Sequence, residues 1–153
     1  MFNIEFQLDG LDESVHEFDL GHISVETDGG VISSRNQQPD QSMMVFIAAT
    51  DLLDGIVELL TGKRKAFEFV GCDSSFILNF SRNKNTKIDI NYKKKKLCSV
   101  SDSEVFEAAY RASRELLEKY GPNLVGSGAA KGGLEMALDD ARRELGCFLK
   151  GRN

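Results

Sequence analysis

A thiol, a carboxylate and two hydroxyls stand side by side in FEFVGCDSSFILNF, residues 67 to 80, the densest apolar stretch of the chain. With a histidine as base, Cys72 or a serine here would make a nucleophilic site, because such partners meet in space rather than along the sequence. The chain has two histidines, His16 and His22. Their spacing fits no helical pair of metal ligands, and a nucleophilic serine would want a GxSxG elbow between a strand and a helix. GCDSS lies instead between two strand patterns, and Asp and Ser satisfy turn backbones with their own side chains. It therefore reads as a hairpin loop whose tip, Asp73, Ser74 and Ser75, is open to a partner, and the histidines read as surface or strand-edge residues. A second candidate, GSGAAKGG at 126 to 133, resembles a phosphate loop only superficially: Lys131 precedes the glycine pair, and the loop follows a helix. It reads as a connector. Cys72, Cys98 and Cys147 are odd in number and widely spaced, which favours reduced, buried thiols over disulfides or zinc. No catalytic residue, metal site or cofactor is expected.

The elements that would hold these residues are legible from periodicity. Phe2, Ile4, Phe6 and Leu8 alternate with polar residues, the pattern of a half-buried strand. Phe18 and Leu20 share one parity, Ile23 and Val25 the other, so a bulge is expected at Gly21. DGG at 28 to 30 turns the chain into VISS. From Ser42 the period becomes helical through Val45, Ala49, Leu52, Ile56 and Leu59, with Asp51, Asp54, Glu58 and Thr61 as the only wet stripe. Gly62 can end this helix. Phe67/Phe69, Phe76/Leu78/Phe80 and Ile88/Ile90/Tyr92 then form a meander, with a turn at RNKNT. Ser101 and Glu104 have capping-box spacing before a helix carried by Val105, Ala109, Ala112 and Leu116, stopped by Gly121 and Pro122. Leu134, Leu138, Ala141 and Leu145 mark a last helix. The expectation is one α+β domain, β-β-β-α-β-β-β-α-α, with antiparallel sheets on a buried central helix. Its parts are an acidic sheet over 1–35, the central helix over 42–62, a basic meander over 66–98 and a helical pair over 101–150.

Bulk properties agree with this. At 153 residues, 41% hydrophobic and 28% charged, the chain has the composition of a water-soluble domain. Its longest apolar run, MMVFIAA, falls far short of the roughly 20 residues a membrane helix needs. The start, MFNIEFQLDG, lacks the basic and apolar blocks of a signal peptide, so a cytoplasmic protein without a membrane partner is expected.

Charge is segregated along the chain. Residues 1 to 62 carry a net of −11, residues 63 to 100 a net of +7, and the remainder −1. If the early acids gather on one face, Asp9, Asp12, Glu13, Glu17, Asp19, Glu26 and Asp28 would attract a basic protein. The converse reading uses the meander: Lys84, Lys87, Lys93, Lys94, Lys95 and Lys96 could track a nucleic-acid backbone while Tyr92 stacks on a base. The net charge of −5 and the lack of tryptophan weigh against nucleic acid. A lysine-rich edge strand also discourages aggregation by itself.

The acidic amino-terminal sheet, the run SMMVFIAATDLLDGIVELL and the following FEFVGCDSSF resemble the small acidic immunity proteins that bacteria carry against polymorphic or contact-dependent toxins. The resemblance covers residues 1 to 120 in style. It implies a non-catalytic inhibitor of a toxin domain, often a basic nuclease, acting by occlusion. The acids above, with Arg35 and the Asp73–Ser75 loop, would then cover a cationic surface of the toxin. The resemblance transfers no site residues, and the sequence leaves a homodimer open.

Overall fold

Alternating burial makes Phe2–Leu8 strand β1, with Phe2, Ile4, Phe6 and Leu8 turned inward. The computed structural model describes residues 1–9 and 15–149. The chain continues through β2 (Val15–His16), β3 (Leu20–Thr27), β4 (Gly30–Ser33) and β5 (Met43–Met44) into helix α1 (Val45–Leu60). Strands β6 (Ala66–Val70), β7 (Ile77–Arg82), β8 (Ile88–Tyr92) and β9 (Lys95–Val100) follow. Helix α2 (Asp102–Tyr120), β10 (Leu124–Val125) and helix α3 (Ala129–Leu145) complete the order. The architecture is α+β with two main antiparallel sheets, one ordered β1-β3-β4 with β5 beside the start of β3, the other β6-β7-β8-β9. A short parallel pair, β10 with β2, joins distant parts of the chain.

Helix α1 is the hub. Nine of its sixteen residues are buried, including Phe46, Leu52, Leu53 and Ile56, and it packs on α2, α3 and β6. The inner faces of both sheets share its core: Phe80 of β7 stacks on Phe67 of β6 at 5.8 Å and meets Phe2 of β1 edge to face at 6.4 Å. Such aromatic pairs add to the burial of their area. Ser101 caps α2 as its spacing implies, its Oγ accepting from Glu104 N–H at 3.3 Å. The carboxylate of Glu104 faces the Met1 amine at 3.5 Å.

Three details depart from the sequence expectations. The β1–β3 ladder runs without a slip through Leu8↔Gly21 and Gln7↔His22, so Gly21 is no bulge. It is the point where the Gln7 carbonyl comes too close for any side chain. The meander has a fourth strand, β9, and its bulge lies between Ile90 and Asn91. The turn into β9 is Lys93-Lys94, with φ of 50° and 66°. A two-residue hairpin with both central residues at positive φ prefers Asn-Gly, so the lysine pair gives no turn signal in the sequence. Replacing the pair by Asn-Gly should therefore stabilise the fold by about 1–2 kcal/mol, read as a higher urea midpoint. Third, α3 begins at Ala129, taking in AAKGG, which composition assigns to a connector.

Candidate functional site

Of the acids expected to form one surface on the amino-terminal sheet, those among the described residues are separated and engaged within the chain. Asp9 sits beside Arg35 Nη1 at 3.1 Å and His22 Nε2 at 3.3 Å. Arg35 also donates through Nη2 to Gln7 Oε1 at 3.1 Å. At the other end of the sheet, Asp28 meets the Met1 amine at 3.2 Å and holds its pKa up, while Glu26 accepts from Asn3 Nδ2 at 3.5 Å. Phe2 pairs with Thr27 and Leu8 with Gly21, so these two groups of acids stand roughly 20 Å apart along the strands. Asp19 is exposed and accepts from His16 N–H at 2.9 Å. Asp12 and Glu13 lie outside the described residues.

Glu17 corrects the reading most sharply. Its residue is only 1% exposed, so it cannot reach a partner. Its carboxylate instead accepts from Gly128 N–H and Ala130 N–H, each at 2.5 Å, at the start of α3. Those amides are the free donors that begin every helix, and the positive end of the dipole favours an anion there. The Gly128 amide is the leading cause that holds the Glu17 pKa below its ordinary value. Gly128 adopts φ of 86° to present its amide, which explains a glycine at that point. The loop that resembles a phosphate cradle does hold an anion, and the anion is the chain's own. Residues more than a hundred positions apart make this contact, so no local pattern announces it.

The GCDSS stretch is the bend between β6 and β7. Ser74 Oγ donates to the Gln41 carbonyl at 2.8 Å and accepts from Phe76 N–H at 3.1 Å, which spends it on the turn. Asp73, at φ of 59°, and Ser75 remain exposed. Cys72 is partly buried, and burial, aided by Asp51 and Asp73, pushes its thiol pKa up, away from a thiolate. His16 accepts at Nδ1 from Phe18 N–H at 3.2 Å. His22, expected at the surface or a strand edge, is 7% exposed and buried on β3, which lies between β1 and β4. Its Nδ1 lies 2.9 Å from Ser34 Oγ and its Nε2 faces Asp9. These Asp-His-Ser contacts superficially resemble a hydrolytic triad, but Ser34 is 0% exposed and its Oγ also accepts from Ile23 N–H at 3.0 Å. The group ties β3 to the segment after β4.

The lysines do not form one stripe. Lys84 and Lys87 lie in the turn before β8, Lys93 and Lys94 in the turn after it, roughly 15–20 Å apart by strand length. Lys95 and Lys96 continue from the second turn along β9. Tyr92 is engaged by Phe76 at 5.5 Å and by Lys93 Nζ at 5.3 Å.

A different acidic surface lies along the wet stripe that the helical spacing implies for α1. Asp51, Asp54 and Glu58 project from α1, with Asp140 and Glu144 of α3 on one side and Glu68 of β6 on the other. Two shallow grooves flank the stripe, about 530 Å³ toward α3 and about 320 Å³ toward β6, and both are bordered by Asp54 and Glu58. Glu58 pairs with Arg64, and Asp140 pairs with Arg143. Asp51, Asp54, Glu68 and Glu144 form no ion pair among the described residues. Burial raises the Asp54 pKa, and Asp51, Asp140 and Glu58 raise it further by repulsion. Burial alone raises that of Asp51.

Among the described residues no group of His, Cys, Asp and Glu side chains gathers to hold a metal ion, and no helix is long and apolar enough to cross a membrane. The class defined by fold and surface is a small α+β domain whose central helix presents carboxylates. No protein-family model matches the chain, and no curated protein or solved structure is significantly similar to it.

Proposed function

We propose that this chain is a non-catalytic binding module that docks a basic protein on the carboxylates of α1, in the manner of an immunity protein occluding a toxin domain. The observation that carries the reading is Asp54. Its carboxylate is partly desolvated, unpaired and surrounded by Asp51, Glu58 and Asp140, an arrangement that works against the fold at neutral pH. Surface acids that destabilise are expected where binding needs them. A cationic partner surface would relieve the repulsion, and complementary potentials would steer the encounter. The docking face proposed is the exposed stripe of α1, Asp51, Asp54 and Glu58, in place of the amino-terminal sheet.

The sign of the titration makes this testable. A carboxyl group whose folded pKa is raised destabilises the fold as pH rises above the ordinary aspartate value of about 3.9. Asp51→Asn/Asp54→Asn should therefore raise Tm at pH 7 by about 1–3 °C, a modest gain because solvent screens both groups. The same double variant should lose a basic polypeptide that the wild-type chain captures from its native lysate. A variant that is less stable, or one that captures the same polypeptide equally well, contradicts the proposal.

A further inference from the structure

Two sheet edges meet at one cleft. Strand β4 ends the first sheet and β9 ends the second. Between them lies a cleft of about 190 Å³ bordered by Val25, Val31, Ile32, Lys95, Lys96 and Leu97, of which Val25 belongs to the core and Ile32 and Leu97 pack against it. Val31 and Ile32 are consecutive, as are Lys95 to Leu97, and successive side chains on a strand point to opposite faces. A cleft bordered by consecutive residues of both strands is therefore bordered by their backbone edges. The bulge opposite Ile90 and Asn91 leaves Leu97 outside the β8–β9 ladder and bends this edge. Val31 is 63% exposed. Lys95 and Lys96 form no ion pair among the described residues.

Size decides the kind of occupant. Pockets for small ligands run about 300–1,000 Å³, well above this cleft. The space suits one apolar side chain, while the outer edges of β4 and β9 make no backbone hydrogen bond to another strand among the described residues and so offer free N–H and C=O groups. We propose that the β4–β9 cleft receives an extended acidic peptide segment, which adds as a strand, seats an apolar side chain on Ile32 and Leu97, and sets its carboxylates against Lys95 and Lys96. Main-chain hydrogen bonds would give affinity, and the alternating apolar and acidic residues would give specificity. The surface is opposite in charge to the acidic stripe of α1, so the two sites would take different partners.

The test titrates the full chain with a short peptide alternating valine and glutamate, with its valine–lysine counterpart, and with a short oligothymidylate, following amide exchange residue by residue. The expected result is saturable binding of the glutamate peptide alone, with slowed exchange at β4 and β9. Lys95→Glu/Lys96→Glu, both exposed, should weaken it about ten-fold or more. Lys84→Glu/Lys87→Glu changes the net charge equally at the far end of β8 and should leave binding unchanged. Circular dichroism checks that both variants are folded. The proposal is overturned if no peptide binds, if the lysine peptide binds as well, if the oligonucleotide alone protects these strands, if protection appears elsewhere, or if protection rises with protein concentration in the absence of peptide, which would mean that copies of the chain pair these edges.

Discussion

Gly21→Ala should destabilise the protein by about 3 kcal/mol or more, enough to unfold a chain of ordinary stability under mild denaturant. A Cβ at this position would overlap the Gln7 carbonyl oxygen and stand 3.0 Å from Leu8 Cα. Both obstacles are backbone, so no side chain can swing aside. The strands would have to part between Leu8↔Gly21 and Gln7↔His22, and the same glycine pairs with Met43 of β5. Buried amides and carbonyls would then lose partners, a cost added to the overlap. Gly29→Ala is the control: its nearest neighbour would be Thr27 Oγ1 at 3.7 Å, ordinary contact, and its effect should stay within about 0.5 kcal/mol. Urea midpoints of the two variants measure the contrast, and equal midpoints would contradict the β1–β3 register.

Glu17→Ala should lower Tm by about 5–10 °C although it removes no core side chain. The loss is of an anion held by Gly128 and Ala130 amides, which strengthens the start of α3 and anchors the segment containing β2. Glu17→Gln keeps an acceptor and loses the charge, which isolates the electrostatic part. Because the folded pKa of Glu17 is lowered, its contribution is complete above the unfolded value of about 4.3 and disappears as pH falls through the folded value. The stability difference between wild type and Glu17→Gln should therefore be constant from pH 7 to about 5 and shrink toward pH 3. Differential scanning at these pH values reads it, and a difference that does not change with pH would leave the carboxylate with no role as an anion.

What could be read in advance follows from the range of the interactions. Alternation in FNIEFQL and the helical spacing from Val45 to Leu59 are local consequences of burying one face, and both elements formed as the pattern implies. Ser101 likewise caps α2 because its partner is three residues away. The boundary of strand β9 is not legible because Lys93-Lys94 turns the chain without glycine or asparagine, so KKKK carries no mark of a hairpin inside the basic meander. Glu17 reads as a surface acid in the sequence because its partners, Gly128 and Ala130, are distant along the chain and use backbone atoms, which leave no compositional trace. The burial of His22 leaves no sequence signal for a similar reason, since Ser34 and Asp9 come to it only when β1, β3 and the segment after β4 assemble. The charge imbalance is legible in the sequence, but its location is not: Asp9 meets Arg35, Asp28 meets the Met1 amine and Glu17 caps α3, whereas Asp51, Asp54, Glu68 and Glu144 around α1 form no ion pair among the described residues.

The association rate of the captured basic partner, measured against salt for wild type and Asp51→Asn/Asp54→Asn, tests the docking surface most directly. Docking on α1 predicts a wild-type rate that falls steeply between low and physiological salt, and a variant that associates about ten-fold more slowly at low salt and responds little to added salt. A rate indifferent to salt, or equal rates for the two proteins, would place the partner elsewhere or remove it altogether.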